Sequence, residues 1–115
     1  MDISSTAAVL CQLDDIPDGG AIEVQAVVNG EDESLVVWRR DGQARAYLNI
    51  CPHAGRRLDW APGKFLVKND VLVCAAHGAS FAAATGECTA GPCRGDRLRA
   101  VPVDVSEGRV VLSGT

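Results

Sequence analysis

The stretch Cys51-Pro52-His53 is followed, after an interval of 20 residues, by Cys74-Ala75-Ala76-His77, and these two stretches contain both histidines of the chain. Each stretch pairs a thiol with an imidazole at the short spacing that metal-binding loops use. A lone histidine is more often a hydrogen-bonded core residue, but two separate Cys-His pairs make that interpretation poor. We therefore predict a metal centre with Cys51, His53, Cys74 and His77 as its ligands.

The composition is that of one small globular domain. The chain has 115 residues, of which 47% are hydrophobic and 23% charged, so we expect a single domain over residues 1–115. Twelve glycines, five prolines and only 4% aromatic residues favour β structure crossed by many turns. No run approaches the roughly 20 apolar residues of a membrane helix, and residues 1–13 lack the features of a secretory signal, so we expect a cytoplasmic protein.

Two β-hairpins are the clearest local predictions. The runs 35–40 and 45–50 are rich in β-forming residues and flank Asp41-Gly42, a dipeptide suited to the positive φ angles of a type I′ turn. The runs 65–68 and 71–74 flank Asn69-Asp70, two residue types that tolerate left-handed backbone. The outgoing strand of the second hairpin delivers Cys74.

The remaining pattern also indicates strands and no helix of useful length. Short valine-rich runs separated by turn residues predict further strands at 8–12, 21–28, 98–105 and 109–112. The fold class is therefore all-β, as a small antiparallel sandwich or barrel. The segment from Cys51 to about Arg94 is rich in Gly, Pro and Cys, and we interpret it as a lobe of loops and short strands that a metal centre organises and that is inserted in the β base.

Three motifs in register resemble those of the Rieske family. Residues 51–58, Cys-Pro-His-Ala-Gly-Arg-Arg-Leu, match its C-P-H-x-G-x-x-L run, and residues 74–81, Cys-Ala-Ala-His-Gly-Ala-Ser-Phe, match C-x-x-H-G-x-x-F. Gly86, Gly91-Pro92 and Leu98 follow the order of the proline-bearing loop that covers the cluster in that family. The three elements extend over about 50 residues, which makes the match specific.

The resemblance implies a fold, a cofactor and a role. It implies one [2Fe-2S] cluster per chain, with Cys51 and Cys74 on one iron and His53 and His77 on the other. It also implies a one-electron carrier, a ferredoxin that takes electrons from a reductase and passes them to an acceptor enzyme such as an oxygenase. The protein itself is then not an enzyme, and its partners are redox proteins.

Two departures from the high-potential members of the family bear on the potential. Those members carry an additional cysteine on each cluster loop, where this chain has Arg56 and Ala76, and they have serine and tyrosine hydroxyls where this chain has Ala79 and Phe81. Because hydrogen-bond donors to the cluster favour its reduced form, their absence predicts a reduction potential on the order of −150 mV. The interval between the two loops is also slightly long, which we interpret as a lengthened turn at 60–64.

Two other functions remain as alternatives. The chain is also similar to the small Rieske-like component of assimilatory nitrite reductases, which would make it a subunit of a larger reductase. From a different class, a structural zinc module is possible because two cysteines and two histidines are also a zinc ligand set. Against zinc stands the single residue between Cys51 and His53, since zinc fingers usually place two or more residues between ligands.

Charge and the remaining cysteines add further expectations. The net charge of −4 argues against nucleic-acid binding. Around the predicted cluster, however, Arg56, Arg57, Arg94 and Arg97 would form a positive face for acidic partners. Cys88 and Cys93 are open to three interpretations, a local disulfide, a redox-sensitive pair or two small apolar residues under the covering loop, and a reducing compartment favours the last. Cys11 is more simply a core residue, and Trp38 and Trp60 could be docking anchors, although packing in the core or in a loop is the simpler interpretation for each.

Overall fold

In a computed structural model, the chain consists of short antiparallel strands. The structure describes residues 9–52, 55, 57–75, 78–91 and 95–113. Eleven strands occur in the described residues: β1 Val9–Gln12, β2 Ala21–Val28, β3 Glu31–Arg40, β4 Gln43–Leu48, β5 Leu66–Lys68, β6 Val71–Val73, β7 Ser80–Ala82, β8 Cys88–Ala90, β9 Ala100–Val101, β10 Val103–Ser106 and β11 Arg109–Leu112. One 3-10 turn at Leu13–Asp15 interrupts the β pattern. No helix within the described ranges is long and apolar enough to cross a membrane.

The strands form three antiparallel sheets that do not close into a barrel. An outer sheet has the order β1-β11-β10, a central sheet the order β2-β3-β4-β9, and a lobe sheet the order β5-β6-β7-β8. The lobe sheet and its connections occupy residues 49–99, between β4 and β9. The prediction of an antiparallel all-β fold is confirmed. Of the two predicted architectures, a sandwich or a barrel, the barrel is wrong.

Strand β3 is buried on both faces, which explains its continuous apolar run. Leu35 and Val37 belong to one core, which also contains Val110 of the outer sheet. Val36 and Trp38 point the other way, into a second core shared with the lobe sheet. The two cores are called the base core and the lobe core below. The β3–β4 hairpin therefore supports the lobe from beneath.

Both predicted hairpins are present, with one difference in turn geometry. Asn69 and Asp70 both have positive φ, 51° and 62°, as a type I′ turn requires. At the β3–β4 turn Asp41 has φ 55°, but Gly42 is not at positive φ, so the type I′ prediction is wrong there. Strands β7 and β8 were not predicted. The run 98–105 contains two strands, because Pro102 separates β9 from β10.

A single tyrosine joins the central sheet to the lobe. Tyr47 of β4 lies in the lobe core, and its hydroxyl donates a hydrogen bond to the Ala83 carbonyl at 2.6 Å. Burial raises the pKa of Tyr47, so the hydroxyl stays a protonated donor. A Cβ at Gly86 would meet the Tyr47 ring at 2.8 Å, which explains why glycine with φ 82° occupies that position. The lobe is thus tied to the base by a side chain as well as by the main chain.

Candidate metal centre

The two cysteine stretches fold into equivalent turns. Cys51 begins one just after β4, and Cys74 begins the other just after β6. In each turn the carbonyl of the cysteine accepts a hydrogen bond from the amide four residues later, Gly55 at 2.8 Å and Gly78 at 2.9 Å. Both glycines have positive φ, 69° and 74°, which lets the chain reverse direction there. The described residues of the two turns therefore share the same closing hydrogen bond and the same reversal of the backbone.

Glycine occupies Gly55 and Gly78 because of the backbone conformation there. No described atom lies within 4 Å of a Cβ built on Gly55 or Gly78. Steric exclusion by the described residues therefore does not explain glycine at these positions, whereas left-handed backbone does.

The structure brings Cys51 and Cys74 together in one core. Their exposed fractions are 0% and 1%, and both belong to the lobe core. The loops are also joined directly, because the Ala75 amide donates to the Leu58 carbonyl at 3.1 Å. The other two predicted ligands, His53 and His77, lie outside the described residues. No group of three metal-binding side chains occurs within the described ranges, as expected when two of the four predicted ligands fall outside them.

A covering loop closes over the second cysteine turn. A hydrogen bond closes the base of this loop, where the Leu98 amide donates to the Gly86 carbonyl at 2.8 Å. At its far end Gly91 approaches Ala79 so closely that a Cβ on Gly91 would lie 2.9 Å from the Ala79 Cα. This contact supports the prediction of a covering loop at 85–98. Pro92 lies outside the described residues.

The donor chemistry suits a [2Fe-2S] cluster. Two buried cysteines in one core offer the thiolates that bind one iron, and each turn carries its histidine two or three residues after the cysteine. Around them lie Ala79 and Phe81, which are both fully buried and bring no side-chain hydroxyl. The site is thus enclosed and apolar on the described side.

Sequence reasoning missed a ring of polar side chains beside the first turn. Asn49, 2% exposed, accepts a hydrogen bond from the Leu58 amide at 2.8 Å and donates to Ser34 and Asp59. Arg57 donates to both oxygens of Asp59, at 3.0 and 2.7 Å, and to Glu23 at 2.9 Å. The Ser34 hydroxyl donates to Glu23 at 2.6 Å, which closes the ring. We call these five residues the polar ring.

The polar ring keeps its charged members ionised. Burial raises the pKa of Asp59, but hydrogen bonds from Arg57, Gly63 and Asn49 outweigh it and bring the net pKa below the ordinary value. The hydrogen bond from Ser34, aided by Arg57, lowers the pKa of Glu23. The same two carboxylates raise the pKa of Arg57. One cation between two anions leaves the ring with one net negative charge.

The predicted positive face is weaker than the residue count suggests. Arg57 is neutralised by the polar ring, and Arg97 pairs with Glu87 at 3.1 Å. Arg56 and Arg94 lie outside the described residues. Any uncompensated positive charge at this face therefore has to come from Arg56 and Arg94.

Three further expectations have mixed outcomes. Trp38 packs in the lobe core as predicted, whereas Trp60 is 58% exposed and is not a core residue. The lengthened turn is present at 60–64, where the Lys64 amide donates to the Ala61 carbonyl at 2.8 Å.

Cys88 is disulfide-bonded, so its interpretation as a packed thiol is wrong. Cys93 lies outside the described residues.

Comparison with known proteins identifies related chains. The model of the Rieske [2Fe-2S] domain matches residues 6–106. The ferredoxin component of an alkene monooxygenase system from Xanthobacter autotrophicus is 34% identical over 105 residues, which are 90% of this chain and 77% of that protein. The ferredoxin of carbazole 1,9a-dioxygenase from Nocardioides aromaticivorans superposes with a TM-score of 0.73 at 27% identity, covering 95% of this chain and 98% of that one. A nitrite reductase small subunit from Erwinia carotovora superposes with a TM-score of 0.63 at 25% identity, covering 96% and 83%.

Proposed function

Because the chain belongs to the Rieske [2Fe-2S] domain family, we propose that it is a one-electron carrier whose single cluster is bound by Cys51, His53, Cys74 and His77. The observation that carries the proposal is the pair of equivalent turns, each beginning at a buried cysteine and both joined by one hydrogen bond. When bound, the cluster supplies reversible uptake of one electron. The chain supplies two thiolate positions, an apolar enclosure and a covering loop.

We propose that its redox partners are a reductase and an oxygenase. The alkene monooxygenase and carbazole dioxygenase relatives are ferredoxin components of oxygenase systems, and both are about the size of this chain. The chain is then a component of an oxidoreductase system and not itself the enzyme. A cytoplasmic location and a single domain over residues 1–115, with the lobe at about 51–94, stay predictions.

A second candidate is a small subunit of a larger reductase. The superposition on the nitrite reductase small subunit favours it, because that chain has a similar length and the same fold. Co-purification with a large flavin or haem protein would support this role over a freely diffusing ferredoxin. The zinc module does not stand beside these candidates, because membership of the Rieske family makes the cofactor a [2Fe-2S] cluster.

The reduction potential tests the proposed function. We expect one electron per chain in a titration with dithionite and a midpoint on the order of −150 mV, because the buried Ala79 and Phe81 offer no hydroxyl to the cluster. Spectroelectrochemistry of the purified protein measures both quantities. A midpoint well above zero would contradict the role assigned to these two residues, and uptake of no electron would contradict the proposed function.

Docking charge is tested by ionic strength. If Arg56 and Arg94 form the docking face for an acidic partner, the rate of electron transfer should fall as salt rises. Because Arg57 and Arg97 are already paired, Arg97→Ala should change this slope less than Arg94→Ala does. Stopped-flow reduction by the cognate reductase at several salt concentrations gives the slopes. A rate that is indifferent to salt would remove the electrostatic docking model.

A further inference from the structure

Asn49 stands out by its burial and its place in the chain. Among the described residues it is the one polar residue that is buried when main chain and side chain are counted together, and it lies between the end of β4 and Cys51. Its main-chain amide donates to the Ser34 carbonyl at 2.8 Å, which extends the β3–β4 pairing by one step. Asn49 is therefore anchored to the central sheet at the point where the first cysteine turn begins.

The side chain of Asn49 reaches the other end of the same turn. Its Oδ1 accepts from the Leu58 amide at 2.8 Å, so one side chain fixes the spacing between the start and the end of the segment that contains Cys51. The Leu58 carbonyl in turn accepts from Ala75, the residue that follows Cys74. Hydrogen bonds thus run without a break from the central sheet through Asn49 and Leu58 to the second cysteine turn.

The polar ring fixes the orientation of the Asn49 amide. Its Nδ2 donates to the Ser34 hydroxyl at 3.2 Å and to Asp59 Oδ2 at 3.4 Å, which leaves Oδ1 directed at Leu58. Asp59 is itself held, because its side chain is 2% exposed and accepts from Arg57 and from the Gly63 amide at 3.1 Å. A buried network in which every member is paired is rigid and specific, whereas loss of one member leaves unpaired groups.

We propose that Asn49, held by the polar ring, is a positioning residue that sets the spacing of the two cysteine turns for cluster binding. This inference rests on the proposed function, because it requires that the two cysteine turns bind the cluster. Asn49 itself is not a ligand. Removing its side chain leaves the buried Leu58 amide without this partner, and the hydrogen bond that ties Leu58, and through it the Ala75 amide, to the end of β4 is lost. The structure predicts faster cluster release and an altered cluster environment, beyond any general loss of stability.

Asn49→Ala tests the proposal against two matched controls. Gln25→Ala removes an exposed amide that also bonds Glu23 but lies outside the ring. Val110→Ala destabilises the base core, where Val110 is fully buried, without touching either cysteine turn. Each variant, purified with its cluster, is measured for the rate of cluster release by loss of visible absorbance in the presence of a chelator, and for the electron paramagnetic resonance spectrum after dithionite.

We expect Asn49→Ala to release its cluster about tenfold faster than wild type and to shift the resonance spectrum, while both controls keep the spectrum and release within about twofold. If Asn49→Ala does not fold, Asp59→Asn should show the same shift with a release about threefold faster. Spectra and release like those of Val110→Ala would overturn the positioning role alone. A wild-type chain that binds no iron would overturn the proposed function and this inference with it.

Discussion

Replacing Cys51 or Cys74 by alanine is expected to abolish the cluster. Both thiols lie in the lobe core, and on our proposal they bind the same iron, so loss of either leaves that iron with one protein ligand. No other described cysteine lies in either turn to replace it. Iron per chain should fall by more than about tenfold, and the visible absorbance should disappear, because a ligand change in a closed metal site removes binding energy that the fold depends on.

Cys11→Ala is the matched control for both variants. Cys11 is half-buried against the base core, whereas Cys51 and Cys74 lie in the lobe core, and burial followed by the charge of Asp15 raises the pKa of the Cys11 thiol. This variant should keep its full iron content and spectrum. Normal iron in Cys51→Ala or Cys74→Ala, or loss of iron in Cys11→Ala, would contradict the ligand assignment.

Gly91→Ala is expected to have the second largest effect. A Cβ at this position would lie 2.9 Å from the Ala79 Cα and 3.5 Å from the Ala79 amide nitrogen, and neither backbone atom can swing away. With φ at 99°, alanine is also strained by about 1–2 kcal/mol. The covering loop should therefore move off the second cysteine turn, which lowers the free energy of unfolding and speeds cluster release.

Gly95→Ala separates the two causes. Gly95 has nearly the same φ, 97°, but no described atom lies within 4 Å of its Cβ position. It should lose only the conformational part, while Gly91→Ala should lose about 1–3 kcal/mol more in chemical unfolding. Equal losses in the two variants would show that the contact with Ala79 does not hold the covering loop.

The sequence predicts the strands that are marked by a run of β-forming residues or by a recognisable turn, and it misses strands that have neither. Residues 35–38 are apolar at every position, because β3 is buried on both faces, and this run was recognised as a strand. Strands β7 and β8 have three residues each, like β5 and β6, but five residues join them where Asn69-Asp70 joins β5 to β6 in a recognisable turn. Strand β7 forms because it pairs with β6 on one side and with β8 on the other. Pairing between strands is not visible in the local sequence of either strand.

The metal centre was predictable for a related reason. Ligand types and spacings are local, so Cys51-Pro52-His53 and Cys74-Ala75-Ala76-His77 could be recognised directly. The polar ring could not be, because Glu23, Ser34 and Asp59 meet only through the register of β2 on β3 and the path of the first turn. For the same reason Arg57 was assigned to a docking face, whereas tertiary structure places it between two carboxylates.

The nitrogen ligands are the central claim, and the two histidines of the chain make a direct measurement possible. Protein labelled with nitrogen-15 histidine is reduced with dithionite and studied by pulsed electron paramagnetic resonance, which detects nuclei bound to the paramagnetic iron. We predict couplings from two histidine nitrogens in the wild-type protein, and loss of the cluster and of the whole signal in His53→Ala and in His77→Ala, as for the cysteine variants. A paramagnetic centre without histidine coupling, or no paramagnetic centre in the anaerobically purified protein, would contradict the proposed ligand set.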